Sequence, residues 1–137
     1  MTKRRDAVER IRPKRLRELL IESVNHYSPS FAEQAAMKVF TDALHHAGIP
    51  YELQPVPADA DVDDDRANAI VRLGPGPTEL LLVGHVDTVQ LWHDDGHAAE
   101  VEGDLIWGLG TADMKGACAA MVEAILAVTE SGLALHR

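Results

Sequence analysis

Two short runs hold the residues whose types and spacing could do chemistry. Gly84-His85-Val86-Asp87-Thr88-Val89 carries a His-x-Asp pair, and Gly108-Leu109-Gly110-Thr111-Ala112-Asp113-Met114-Lys115-Gly116 brings a second aspartate downstream. Histidine and carboxylate are the ligands of hydrolytic zinc sites. On an extended segment, residues two apart point to the same side. His85 could then bind a metal through one ring nitrogen while Asp87 accepts a hydrogen bond from the other, fixing the tautomer. The bland alternative is a surface histidine and an aspartate that opens a turn with Thr88. Asp113 stands where a glycine-rich loop enters a helix. It reads either as a helix cap or as a metal carboxylate whose two oxygens can bridge two cations. Lys115 reads as a supporting or surface charge.

Other constellations carry less. A dinucleotide loop starting at Gly108-x-Gly110 would need glycine at position 113, and the carboxylate there would repel a pyrophosphate. Asp59-x-Asp61-x-Asp63 resembles the start of a calcium loop, but Asp64 and Ile70 occupy the places that need glycine and glutamate. That segment therefore reads as a solvated acidic loop. His45-His46 and the pair His93 and His97 have no carboxylate at convincing spacing. Cys118 reads as buried and inert.

The elements that must position these residues follow from periodicity. Leu16, Leu19, Leu20 and Val24 mark an amphipathic helix over 14–26, broken by Ser28-Pro29-Ser30. Ser30 is placed to cap a second helix over 31–47, with Glu33 as its capping-box partner and Gly48 at its end. Strands are expected over 49–56 and 68–73, with an acidic loop at 58–66 between them. Leu80-Leu81-Leu82-Val83 is a continuous apolar run that suits a central strand buried on both faces. His85 and Asp87 would then lie at its carboxyl end, where open α/β sheets bind ligands. A polar loop over 90–97 leads to a short hairpin around Gly103-Asp104. A last helix over 114–130 turns Met114, Ala117, Cys118, Met121, Ile125 and Val128 inward. The order predicts an α/β fold, a layered αβα arrangement with a mostly parallel or mixed central sheet.

Composition bounds the rest. The chain has 137 residues, enough for one domain with a real core, and only 4% aromatics, so aliphatic side chains and alanine must fill it. The net charge of −9 hides an asymmetry: residues 1–17 hold eight of the 13 Lys and Arg. Residues 1–13 read as a basic leader and 14–137 as one catalytic-type unit. No aromatic side chains interleave with the leader's charges, and the acidic body would repel phosphates, so no nucleic-acid partner is expected. A single cysteine, the lack of a signal-peptide apolar region and the lack of a spanning stretch give a soluble, cytoplasmic protein with no membrane partner as the expectation.

With both motifs in order, the chain resembles the zinc-dependent di-metal exopeptidases and deacylases, which include acetylornithine deacetylase, succinyl-diaminopimelate desuccinylase, carboxypeptidase G and the aminoacylases. Ser28-Pro29-Ser30, Asn68 and the run Glu79–Val83 are similar too, so the likeness covers roughly 14–130. The resemblance implies that His85 binds one zinc, Asp113 bridges two, and Asp87 orients His85 in a catalytic supporting role. It implies a cis peptide bond between Asp113 and Met114, and hydrolysis of an N-acyl amino acid or short peptide by metal-activated water with a glutamate as base. Cobalt or manganese could replace zinc at such donors. The full-length form would be a homodimer. Leu109 stands where arginine is usual and Gln90 where proline is usual. The family's Glu-Glu pair, later ligands and dimerisation domain are not found in these 137 residues. The sequence reads like the front part of something longer, and the chain alone is expected to hydrolyse nothing and to leave a strand edge exposed. The competing reading is a non-catalytic interaction module or truncated remnant that retains the fold.

Overall fold

The computed structural model describes residues 2–56, 66–77, 80–92 and 96–135. Helices α1 (Thr2–Glu9), α2 (Pro13–Asn25) and α3 (Gln34–His46) come first. Strands β1 (Glu52–Pro55), β2 (Ala67–Ile70), β3 (Glu100–Glu102) and β4 (Leu105–Trp107) follow, and α4 (Gly116–Glu130) comes last. The class is α/β. The acidic loop expected at 58–66 lies outside the described residues except for Arg66, and so does His93.

Each helix has a local cause. Pro13 opens α2, where its missing N–H costs nothing and its fixed φ suits the first turn. Leu19, Leu20 and Val24 then bury one face. α3 ends in two back-bonds, Gly48 N–H to His45 O at 2.9 Å and Ile49 N–H to Leu44 O at 2.9 Å. This pairing satisfies carbonyls of the last turn and drives Ile49 into the core beside Leu44. The core is the seam where α2, α3 and α4 meet, with Val24, Phe40, Leu44, Ala119, Val122 and Leu126 at its centre.

The basic leader is helical over Thr2–Glu9 and is fastened to the body, because Ala7 is buried and Arg12 pairs with Glu130 at 3.1 Å. Arg15 does more. Its Nε and Nη2 donate to Glu123 at 2.6 and 2.9 Å, and its Nη1 donates to Glu130. The Arg12 backbone N–H adds a bond to Glu123 at 2.7 Å. Glu123, only 1% exposed, is thus a buried carboxylate with every approach hydrogen-bonded. Burial alone would raise its pKa, but the bonds from Arg15 and Arg12 outweigh it and hold the carboxyl below its ordinary value.

Three expectations are corrected. First, the apolar run Leu80–Val83 pairs with no strand among the described residues, and its side chains are 75, 74, 55 and 72% exposed. The described sheets are two antiparallel ladders, β1 with β2 and β3 with β4, and the run belongs to neither. Apolar content can bury a strand only where neighbours cover it. Second, α3 begins at Gln34, after Ser30 and Phe31, with no side-chain cap. The Phe31 N–H goes to Glu33 Oε1 at 2.8 Å instead. Third, the inward face of α4 is Cys118, Ala119, Val122, Glu123, Leu126 and Ala127, while Ala117 is exposed. An alanine-rich helix is apolar all round, so periodicity cannot choose its face.

Candidate metal centre

His85 and Asp87 arrive on an extended segment held against the helices. Thr88 N–H donates to Ser28 O at 2.8 Å, Ser28 Oγ donates to Val86 O at 2.7 Å, and Pro29 and Thr88 form a parallel bridge. From below, Cys118 Sγ lies 3.3 Å from His85 O. Gly84 crosses so close to α4 that a Cβ there would stand 2.9 Å from Cys118 Sγ and 3.2 Å from Met114 Cε. Met114, Cys118 and Met121 therefore face this segment, and Cys118 and Met114 also join the core.

Asp113 comes from the approach to α4. Thr111–Lys115 form one wide turn in which Lys115 N–H reaches back to Gly110 O at 2.9 Å. Within it Asp113 (φ −132°, ψ 95°) and Met114 (φ −137°, ψ 31°) leave helical geometry. The Asp113–Met114 peptide bond is cis. Gly110 begins the turn at φ 82°, a left-handed conformation, and a Cβ there would lie 2.7 Å from Thr88 Cγ2. Only glycine meets both demands.

These segments bring His85, Asp87 and Asp113 together. His85 Nδ1 lies 3.1 Å from Asp87 Oδ1 and 3.2 Å from the Asp87 carbonyl oxygen. Both are acceptors, so a proton on Nδ1 would make this side of the ring a hydrogen-bond donor. Nε2 faces Asp113 Oδ1, 3.2 Å away. With the proton on Nδ1, the Nε2 lone pair and the Asp113 carboxylate would form a two-donor set for a metal ion. Two donors each about 2.1 Å from one tetrahedral zinc stand roughly 3.4 Å apart, close to the 3.2 Å that separates this pair. The Asp113 side chain is 88% exposed and makes no capping bond, which leaves its second oxygen open. Among the described residues no group of three or more His, Cys, Asp or Glu is gathered to hold a metal. His45 and His46 meet edge to face at the end of α3, and His97 Nε2 contacts Asn25 O at 3.1 Å.

Two residues near the site take roles that sequence left open or misplaced. Of the two readings of Lys115, a supporting or a surface charge, the structure favours the first: it is 1% exposed, and its Nζ donates to Ser23 O at 2.8 Å and His26 O at 2.9 Å. Those carbonyls belong to the last turn of α2, the negative end of its dipole. Burial lowers the lysine pKa to about 8. The ammonium ties the Asp113 turn to α2. Ser30, read as a helix cap, instead donates to Asp87 Oδ2 at 2.9 Å. A lysine two residues after the aspartate offered no periodic signal, and Ser30 lies in a turn, where spacing does not fix a partner.

Helices and small antiparallel ladders that present a His-x-Asp pair to a second carboxylate make this an α/β protein with a candidate metal site. Residues 81–137 match the model for Peptidase family M20/M25/M40, and the chain belongs to that family. The chain is 35% identical over 98 residues to acetylornithine deacetylase of Photorhabdus laumondii subsp. laumondii, covering 69% of this chain and 24% of that protein. Acetylornithine deacetylase of Aliivibrio fischeri strain MJ11 is 42% identical over 69 residues, covering 47% of this chain and 18% of that protein. That of Proteus mirabilis strain HI4320 is 33% identical over 106 residues, covering 74% and 26%. The chain thus spans about a quarter or less of the length of these relatives.

Proposed function

We propose that this chain is the metal-ligand-bearing part of an amide hydrolase that removes an acyl group from an N-acyl amino acid or cleaves a short peptide. The observation that carries the reading is the pair of contacts at His85, with Nδ1 held by Asp87 and Nε2 facing Asp113 at 3.2 Å. In this reading His85 and Asp113 hold zinc, with cobalt or manganese as substitutes. Zinc bound there supplies Lewis acidity toward the scissile carbonyl. Asp87 keeps the His85 ring in its ligating tautomer and raises its basicity. Lys115 keeps the Asp113 turn seated on α2. The base is not assigned within this segment, since Glu123 and Glu130 are both engaged by arginines. On this reading the 137 residues alone do not turn over substrate.

The acyl-amino-acid substrate class is supported by the relatives, which are acetylornithine deacetylases. The setting proposed is a cytoplasmic one, with the full-length form a homodimer. No helix among the described residues is long and apolar enough to cross a membrane. A second reading, an interaction module without catalysis, is favoured by the exposed run Leu80–Val83. Metal analysis of the full-length protein separates the two. Zinc content and acetylornithine hydrolysis that fall together in His85→Ala and Asp113→Ala support the hydrolase. Unchanged zinc and activity in both variants would sink the assignment.

A further inference from the structure

We infer that Ser30 is a positioning residue of this site, locking the Asp87 carboxylate so that the His85 ring stays fixed in the orientation that leaves Nε2 facing Asp113. The inference rests on the reading of His85 and Asp113 as metal ligands. Three observations carry it. The first is the division of labour at Asp87: Oδ2 accepts from Ser30 Oγ at 2.9 Å, while Oδ1 faces His85 Nδ1 at 3.1 Å. A carboxylate with one oxygen held by each partner cannot rotate without losing both. Without Ser30, one oxygen is released, and both the carboxylate and the ring it orients gain freedom.

The second is register. The Ser-Pro-Ser segment runs parallel to Val86–Thr88 and is pinned by the fully buried Ser28, whose Oγ donates to Val86 O at 2.7 Å and whose carbonyl accepts from Thr88 N–H at 2.8 Å. Ser28 anchors the segment beside Val86–Thr88, and the turn that follows, closed by Ala32 N–H to Pro29 O at 2.9 Å, presents the Ser30 hydroxyl to Asp87. The third is what the loop forgoes. Serine three residues before glutamate is a helix-capping pattern, yet α3 has no side-chain cap and the Ser30 hydroxyl is spent on Asp87. The next residue, Phe31, sits at φ 79°, a region a bulky side chain adopts only when its surroundings demand it. The loop is shaped to serve the Asp87 side of the contact.

The test compares wild type, Ser30→Ala and Ser30→Thr in the full-length protein, with thermal melting to verify that each is folded. Long-range 1H–15N spectra at one fixed pH read the His85 tautomer in the metal-free protein, and competition with a chromophoric chelator reads zinc affinity. Wild type should show the proton on Nδ1. Ser30→Ala should give a mixture of tautomers and bind zinc roughly tenfold more weakly, as loss of such supporting contacts does. Ser30→Thr, which keeps the hydroxyl, should restore both. A Ser30→Ala protein with wild-type tautomer and zinc affinity overturns the inference, as does a threonine variant that behaves like alanine. Failure of the underlying reading looks different: zinc binding would be absent in wild type, or indifferent to His85→Ala and Asp113→Ala, whatever Ser30 does.

Discussion

Where α2, α3 and α4 meet, Val24, Ala36 and Ala119 are wholly covered, and even the charged Glu123 and Lys115 are sealed in with partners for their polar atoms. Four consecutive aliphatic residues just before His85, Leu80–Val83, are more apolar than any stretch of that core and lie mostly in solvent. The contrast teaches that burial here follows the supply of neighbours, not hydrophobicity. The helices close on one another; the segment that delivers His85 has only one flank covered. The candidate site sits on the boundary between the two regions. Asp113 is anchored to the helical side through Lys115, and His85 is held there by a few named contacts, those of Ser28, Ser30 and Cys118.

The largest effect expected is on the closed side. Glu123→Ala leaves Arg15 Nε and Nη2 and the Arg12 N–H without their acceptor, with only Glu130 still facing Arg15, and should cost on the order of 3 kcal/mol in a urea denaturation. A loss below about 0.5 kcal/mol would mean the ion pairs are not formed in solution. The same carboxylate sets a pH dependence. Its folded pKa lies below its ordinary value of 4.5, so the stability it contributes is present above the unfolded pKa and is lost as pH falls through the folded one. Melting temperature should therefore drop in acid, and Glu123→Gln should flatten that part of the profile. If the two proteins lose stability in parallel below pH 4.5, another carboxylate is responsible.

At the boundary, Gly110→Ala adds a Cβ at 2.7 Å from Thr88 Cγ2 on a backbone at φ 82°. Strain of that kind costs about 1–3 kcal/mol and should weaken zinc binding with it, because Thr88 adjoins Asp87 and Gly110 begins the Asp113 turn. Full zinc affinity in a destabilised Gly110→Ala protein would separate the turn from the site. The smallest effect belongs to the open side. Leu81→Ser should change the stability of the 137-residue chain by less than about 0.5 kcal/mol, while reducing self-association in sedimentation velocity. A large loss of stability would show that Leu81 is covered after all and would erase the contrast.

What could be read from the sequence divides along the same line. α2, the end of α3 at Gly48 and the hairpin at Gly103-Asp104 were legible, because local spacing and turn chemistry decide them. The approach of Asp113 to His85 followed from two motifs in order, and the resemblance anticipated the cis bond after Asp113. Contacts between distant residues were not legible. Arg15 and Glu123 lie 108 positions apart, and nothing local marks either as the other's partner. Lys115 is buried where two carbonyls at the end of α2 converge on its ammonium, 92 and 89 positions away in sequence. Ser30 had two plausible partners, the free N–H groups of a helix N-terminus and the Asp87 carboxylate, and sequence spacing alone favoured the wrong one. Leu80–Val83 was read as a buried strand because its composition demands cover, and composition cannot say whether cover is supplied.

The most direct test of the account is zinc stoichiometry and affinity in the full-length protein, wild type against His85→Ala and Asp113→Ala, measured by chelator competition and elemental analysis. The account predicts zinc in the wild type and loss of at least one zinc, or a fall in its affinity, in each variant. Zinc bound in all three with the same stoichiometry and affinity would contradict it.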